Sequence, residues 1–320
     1  MTVVLTDTAV AEPPPVKVFI LAGQSNMVGH SRGHTMGTLF NVDGPKDKAL
    51  IDLVFGKDAK LSEQRLDETL DLAKQLNELT GGIGDPKIKA MTDAAQKAAA
   101  EAEAERMKAT LETYQTDVVA ASAVSDRVYI NSIADKNRKS GKLAVGYGGD
   151  PIKIGPEYAF GLSIAQKIDG PILLIKTSWG GKSLNYNFRP PSLPDFETTP
   201  EYAEAKTKAE EALKRYEAAV KSFPQDQEKY EADLAAYEEQ LKTADEKARK
   251  KLKKPREPRA PRQPRPFNMD DAGLNYRMMK EAVHKVLDNL KENHPAYDPD
   301  AGYELAGFVW FQGHKDSGAE

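Results

Sequence analysis

The sequence predicts an α/β fold, a three-layer arrangement in which helices cover both faces of a doubly wound parallel sheet. The first observation is a set of three short, continuous apolar runs, at residues 16–22 (VKVFILA), 172–175 (ILLI) and 305–311 (LAGFVWF). Continuous runs of this length are typical of parallel strands that are buried on both faces. The second observation is that helical segments separate the runs, and alternating strands and helices of these lengths form doubly wound sheets.

The helices of this predicted core have recognisable boundaries. Gly155-Pro156-Glu157 predicts a helix start, because proline is favoured in the first turn and apolar residues follow at helical spacing. Asp270 or Asp271 is expected to cap another helix, which should end at His294-Pro295. Residues 127–130 (RVYI) have the composition of a further, weaker strand, which we expect at an edge of the sheet.

Two long helical segments interrupt the α/β core. In residues 57–118, a leucine-bearing helix stops at Gly81-Gly82 and a long Ala-rich helix is expected to start at Asp85-Pro86. In residues 200–254, apolar residues keep a spacing of three and four on both sides of Ser222-Phe223-Pro224. This pattern predicts an antiparallel coiled-coil hairpin that turns at the proline, and its exposed seam would allow self-association between chains.

A basic, proline-rich segment follows the predicted hairpin. Pro-Arg recurs every three residues in 255–266 (PREPRAPRQPRP), which is the repeat of a polyproline II helix, so the arginines should line one edge of a stiff spacer. The predicted organisation is a disordered leader at 1–15, an α/β core at 16–56, 119–199 and 267–320, helical insertions at 57–118 and 200–254, and a linker at 255–266.

Composition excludes several classes of site. The chain has no cysteine, which excludes disulfides and thiol nucleophiles, and its five histidines form no His-x-x-x-His pair, so we predict no metal site. The net charge is −4, although residues 247–266 hold ten Lys/Arg and one acid. A single basic segment on an acidic body is not the basic face of a nucleic-acid-binding protein. No apolar run approaches the roughly 20 residues that span a bilayer, so we predict no membrane span.

Residues with catalytic chemistry follow each of the three predicted strands. Gly23-Gln24-Ser25 follows the first, where a helix start would point free N–H groups at the serine. Gly180-Gly181 follows the second, and glycine lets a main-chain N–H approach a substrate oxygen closely. Gln312 follows the third, with a side-chain amide as a further donor. Each motif taken singly is also compatible with a plain role, as a serine N-cap, a glycine turn or a polar strand end. Because ligands bind beyond the carboxyl ends of such strands, we expect the three to converge.

Together these segments resemble the sialate O-acetylesterase-like branch of the SGNH hydrolases, a carbohydrate esterase family with a flavodoxin-like fold. The helical insertions lie outside the resemblance. The matching segments are FILAGQSNMVGH (19–30), IGPEYAFG (154–161), LIKTSWGGKSL (174–184), FRPP (188–191) and GFVWFQGHKD (307–316).

The resemblance implies that Ser25 is the nucleophile of an enzyme that removes O-acetyl groups from a carbohydrate through an acyl-serine intermediate, without a metal or cofactor. The oxyanion would be bound by the N–H of Ser25, by a glycine of the Gly180-Gly181 pair and by Gln312. Family members suggest a secreted or periplasmic location. Candidate substrate contacts, each also compatible with a structural role, are Asn26, Glu157, Lys182, Arg189, His314 and Asp316.

The chain departs from the family pattern at the catalytic base. The family carries an Asp-x-x-His segment near its C-terminus, and no histidine here has an aspartate three residues before it. One interpretation is truncation, in which case the 320-residue chain is inactive and its uncovered sheet edge promotes aggregation. Another makes His314 the base, although no acid is placed to orient its ring. His30, five residues after the serine, is expected either to line the rim of the pocket or to pack in the fold.

A function of another class is also open. The chain would then be a non-catalytic scaffold that binds an acidic polymer or partner through the helical hairpin and the Pro-Arg segment, unless these are only a solvated hairpin and linker. Ester hydrolysis that depends on Ser25 discriminates between the enzyme and the scaffold.

Overall fold

The computed structural model describes residues 12–41, 48–243, 252–264, 266–267, 272–313 and 316. The chain divides into two compact units, which we name the sheet unit (Met1–Phe188 with Asn275–Glu320) and the helical unit (Arg189–Leu274). Among the described helices, none combines the length and the apolar composition needed to cross a membrane. The predicted leader lies mostly outside the described residues.

A mostly parallel, five-stranded sheet forms the centre of the sheet unit, with the strand order β4-β3-β6-β1-β7. A second, two-stranded sheet pairs β2 with β5. The three strands predicted from apolar runs are confirmed as β1, β6 and β7. The strand bounds are β1 (Val16–Gly23), β2 (Ser31–Arg32), β3 (Val128–Ala134), β4 (Asn137–Lys142), β5 (Lys153–Ile154), β6 (Ile172–Ser178) and β7 (Tyr303–Phe311).

Nine α-helices are found among the described residues, with short 3₁₀ turns at Gly33–Asn41, Gly56–Asp58 and Phe196–Thr198. The helix bounds are α1 (Ser25–Val28), α2 (Lys48–Phe55), α3 (Ala59–Thr80), α4 (Pro86–Lys89), α5 (Ala94–Ala120), α6 (Pro156–Ala165), α7 (Pro200–Thr243), α8 (Leu274–Leu287) and α9 (Leu290–Asn293).

Helices lie on both faces of the large sheet, which explains why β1 is apolar at successive positions. Phe19 and Leu21 pack on one face in a cluster that includes residues of α6. Val16 and Val18 pack on the other face with Val286 of α8 and its neighbours. Burying a side chain of this size contributes about 1.5–3 kcal/mol, so both faces stabilise the strand. The mixed α/β class is confirmed, whereas the SGNH assignment stays a prediction.

The edge position expected for residues 127–130 is wrong. The strand there, β3, pairs in parallel with β6 on one side and antiparallel with β4 on the other. The sequence gives little sign of β4, whose residues (NRKSGK) are polar and partly exposed. An edge strand needs no apolar run when one of its sides faces solvent.

The first insertion is a helix pair, α3 and α5. Gly81 ends α3 in the left-handed conformation (φ 78°), as its position predicts. The long Ala-rich helix does not start at Asp85-Pro86, where only the four-residue α4 begins. It starts at Ala94, because the side chain of Asp93 accepts a hydrogen bond from the N–H of Gln96 and caps it there (2.8 Å).

The predicted coiled-coil hairpin is wrong over its described part. Helix α7 runs unbroken through 44 residues with Pro224 inside it, so no turn occurs at Ser222-Phe223-Pro224. Proline inside a helix costs about 3 kcal/mol, a local penalty that a long run of Ala, Glu, Lys and Leu tolerates. Residues 244–251 lie outside the described part of the chain, as do the caps expected at Asp270 or Asp271.

Candidate functional site

Ser25 lies where β1 gives way to α1. Gly23 ends the strand with φ +154°, and a Cβ there would come within 2.2 Å of the carbonyl oxygen of Phe311, so glycine permits the close approach of β7. Ser25 is the first residue of α1 and its N–H has no partner inside the helix. Because α1 has only four residues, this free donor matters more than any helix dipole.

The serine opens onto a cavity of about 540 Å³. That volume lies in the range of roughly 300–1,000 Å³ typical of small-molecule sites. The cavity is formed by the start of α1, the small β2–β5 sheet, the first turn of α6 and the end of β7. The lining residues are Ser25, Asn26, Gly29, His30, Ser31, Ile154, Gly155, Pro156 and Phe311.

A buried ion pair anchors the elements behind this cavity. The Lys176 ammonium contacts the Glu157 carboxylate at 2.6 Å, and both side chains are fully buried. The ammonium also donates to the carbonyl oxygens of Val28 (2.9 Å) and Tyr147 (2.8 Å). Burial lowers the pKa of Lys176, while the neighbouring carboxylate acts in the opposite direction. The pair therefore fixes β6 to the end of α1 and the start of α6.

Glu157 is consequently not a substrate contact, which corrects the expectation from the sequence. Its second carboxylate oxygen accepts a hydrogen bond from the N–H of Gly155 (2.8 Å), next to the cavity wall. All of its interactions are internal, and no part of its side chain is exposed. Lys176 was not among the candidates, although a lysine inside an apolar strand is a signal of a buried charge that requires a partner.

The two glycines after β6 differ in their surroundings. The N–H of Gly180 donates to the carboxylate of Asp135 (2.7 Å), so it is already engaged. Gly181 has φ +67° and open space around it, and no partner for its N–H is found among the described residues. Asp135 itself, in the turn between β3 and β4, was missed; its signal is an acid directly after a strand.

Gln312 joins the loops at this end of the sheet. Its amide donates to the carbonyl oxygen of Lys182 (3.0 Å) and to the carboxylate of Asp316 (2.5 Å). The other oxygen of Asp316 accepts from the N–H of Leu184 (2.9 Å). The side chain of Asn26 donates to the Gln312 carbonyl (3.3 Å). Through these hydrogen bonds, Gln312 and Asp316 connect the end of β7 to the segment that follows β6.

The buried amide of Gln24 is a further feature that the sequence did not single out. The side chain is fully buried, and neither its oxygen nor its nitrogen has a partner within the described part of the chain. The amide oxygen of Gln312 is unpaired in the same way. An unpaired buried polar group costs about 1–3 kcal/mol, so Gln24, next to Ser25 in the chain, and Gln312, next to the end of β7, retain unsatisfied hydrogen-bonding capacity.

The structure thus brings some predicted residues together and separates others. The segments that carry Ser25, Gly181 and Gln312 meet at the carboxyl ends of β1, β6 and β7, and the N–H of Trp179 donates to the carbonyl of Gly23 (3.2 Å). Among the described residues, Ser25 and Asn26 are the members of the predicted set that line the cavity, together with His30.

The remaining candidates are Arg189 and His314. Arg189 belongs to the helical unit, where it donates to the carbonyl oxygen of Pro194 (2.8 Å) and lies over the ring of Phe196 (5.6 Å). His314 is outside the described residues. Within the described ranges no group of three or more His, Asp or Glu side chains could hold a metal ion. Comparison with protein-family models, with curated proteins and with solved structures gives no match for this chain.

Proposed function

We propose that this chain is a serine esterase that removes O-acetyl groups from a carbohydrate, with Ser25 as the nucleophile. The observation that carries the proposal is a serine at the carboxyl end of a central parallel strand, at a helix start, facing a cavity of about 540 Å³. Ligand sites of open α/β sheets lie beyond the carboxyl ends of their strands. The resemblance of FILAGQSNMVGH to the acetylesterase branch of the SGNH hydrolases adds the reaction class.

In this reaction the Ser25 hydroxyl attacks the acetyl carbonyl, the sugar hydroxyl leaves, and water then hydrolyses the acyl-serine. The N–H groups of Ser25 and Gly181 would donate to the developing oxyanion. Gln312 would add a third donor only if its amide released Lys182 or Asp316. Loss of one such donor typically costs about 3 kcal/mol of transition-state stabilisation. The N–H of Gly181 would contribute on that scale.

The lining of the cavity suits a sugar ester. Asn26, His30 and Ser31 offer hydrogen-bonding groups, and they are exposed to solvent. Phe311 supplies an apolar surface beside them. Sugars combine hydroxyl groups with apolar ring faces, so this mixture fits a carbohydrate better than a purely aliphatic ester.

A serine hydroxyl needs a base, and two histidines are candidates in this proposal. His30 lines the cavity with Ser25, and His314 follows the β7 end in the sequence. His30→Asn and His314→Asn, measured separately, distinguish them. The variant that loses the acidic limb of the pH–rate profile identifies the base.

The test is hydrolysis of p-nitrophenyl acetate and of acetylated xylan. Ser25→Ala should lower the rate by at least about a thousandfold, the usual scale for a missing nucleophile. Ser31→Ala is the matched control on p-nitrophenyl acetate, which has no sugar for Ser31 to bind, because it removes a hydroxyl from the same cavity and should keep most of that activity. Measurable turnover by the wild type that Ser25→Ala leaves unchanged would end the esterase proposal.

A further inference from the structure

One face of α7 is partly buried along its length, as the burial of its alanines shows. The same residue type differs in burial according to the face on which it lies. The partly buried alanines are Ala205, Ala209, Ala212 and Ala219. The exposed alanines are Ala203, Ala218, Ala232, Ala235 and Ala236. The covered face also carries the large partly buried side chains Tyr202, Tyr216, Phe223, Tyr230, Leu234 and Tyr237. A one-sided pattern of this kind is typical of a helix that packs against another segment along one face.

The segment with a matching pattern is residues 252–264, which contain no helix or strand. Partial burial recurs there at every third position, and the arginines between those positions are exposed. The partly buried residues are Leu252, Pro255, Pro258, Pro261 and Pro264. A repeat of three is that of a polyproline II helix, so one edge of this helix is covered and the other edges face solvent.

The C-terminal end of this proline-rich segment lies beside the first turn of α7. The ring of Phe267 lies 5.3 Å from the ring of Tyr202, in the first turn of the helix. From Tyr202 to the end of α7 the helix spans about 62 Å at 1.5 Å per residue. At 3.1 Å per residue, a polyproline II helix that reaches from Leu252 to Phe267 would span about 47 Å. The segment is therefore long enough to lie along most of the covered face.

We propose that residues 252–264 with 266 and 267, which we name the Pro-Arg strap, pack back along α7 with their prolines inward and bind an acidic polysaccharide through the outward row Arg256, Arg259 and Arg262. Three residues of polyproline II span about 9.3 Å, so the cations are spaced regularly at about that distance. The helix beneath keeps the row straight, and a preorganised row loses less entropy on binding than a free chain.

The three arginines are available to a ligand. All three are exposed, and among the described residues none takes part in an ion pair. Residues 200–243 of α7 contain eleven acids and seven bases, so the helix attracts the strap as a whole without pairing with these side chains.

Charge spacing favours a polysaccharide over a nucleic acid. Duplex DNA carries one charge per about 1.7 Å, far denser than a row of cations about 9.3 Å apart. Residues 252–264 also contain no aromatic side chain on which bases could stack. A glycan with one carboxylate per sugar or per disaccharide has charges sparse enough to match the row of arginines.

The strap does not depend on the proposed esterase, and Ser25→Ala should bind the polysaccharide as the wild type does.

The test measures binding of the full chain to polygalacturonate and to hyaluronate at low salt. Each exposed charge pair is worth about a two- to fivefold change in affinity, so R256Q/R259Q/R262Q should weaken binding about tenfold to a hundredfold. The matched control K206Q/K214Q/K221Q removes the same charge from exposed positions of α7 and should change affinity by less than about threefold. Absence of wild-type binding, or equal losses in both triple variants, would overturn the proposal.

Two further measurements test the strap and its ligand. P258G/P261G keeps every charge but loosens the polyproline II helix, so it should weaken polysaccharide binding and speed tryptic cleavage after Arg259. Unchanged affinity and cleavage would refute the packed strap. Duplex DNA that binds as tightly as polygalacturonate, and loses affinity equally in R256Q/R259Q/R262Q, would assign the row to nucleic acid instead.

Discussion

At the scale of single residues, the fully buried charges of Lys176 and Glu157 stand out. The three protons of the ammonium group are all donated, to the carboxylate and to two main-chain carbonyl groups, and each carboxylate oxygen accepts one hydrogen bond. Moving one charge out of water costs several kcal/mol, which the other charge and these hydrogen bonds offset. The pair is thus tolerated only as a pair, and it determines where the end of α1 lies relative to β6.

Removing one partner should therefore be far more damaging than removing both. Lys176→Met or Glu157→Gln should lower the free energy of unfolding by about 3–5 kcal/mol, and the double substitution to Met and Leu should recover part of that loss. Urea denaturation measures all three. Lys17→Met is the control, since it breaks a partly exposed ion pair with Glu304 and should cost no more than about 1 kcal/mol. Additive single losses in the double variant would contradict the coupling.

At the scale of elements, the correct predictions were those strands and helix ends that are determined by residues close together in the chain. The apolar runs identified β1, β6 and β7, and Gly81 ended α3, because burial on both faces and a left-handed cap leave marks in the sequence. The hairpin failed for a physical reason. Apolar residues three and four apart continue in phase across Pro224, and that spacing is identical whether the helix reverses or goes straight on.

A distance measurement separates the straight helix from the hairpin. Spin labels at E210C and E238C should lie about 42 Å apart in a continuous helix, whereas a turn at Pro224 would bring these positions side by side. The chain has no native cysteine, so labelling is confined to the introduced sites. Labels at E204C and E217C should give about 20 Å in either arrangement, and they calibrate the experiment. A short distance for the first pair would restore the hairpin.

At the scale of the whole molecule, sequence predicted the converging strand ends better than the state of each donor. Three segments far apart in the chain meet beyond β1, β6 and β7, as open α/β sheets require. Hydrogen-bond partners such as Asp135 for Gly180, or Asp316 for Gln312, come from tertiary packing, and no local spacing encodes them. Strands β2 and β5, which form part of the cavity wall, could not be predicted from the sequence because each has only two residues.

The other whole-molecule consequence concerns the outer edge of the sheet. Among the described strands β7 is last in the order, and its Leu305 and Phe308 are 57% and 55% exposed. An exposed strand with apolar side chains and unpaired main-chain groups is a template for association between chains. Leu305→Lys combined with Phe308→Lys should therefore reduce concentration-dependent association in sedimentation velocity, while β1 pairing is retained. Leu184→Lys, at a loop residue 44% exposed, is the control and should leave association unchanged. Equal association of the wild type and the β7 variant would show that this edge is not the contact.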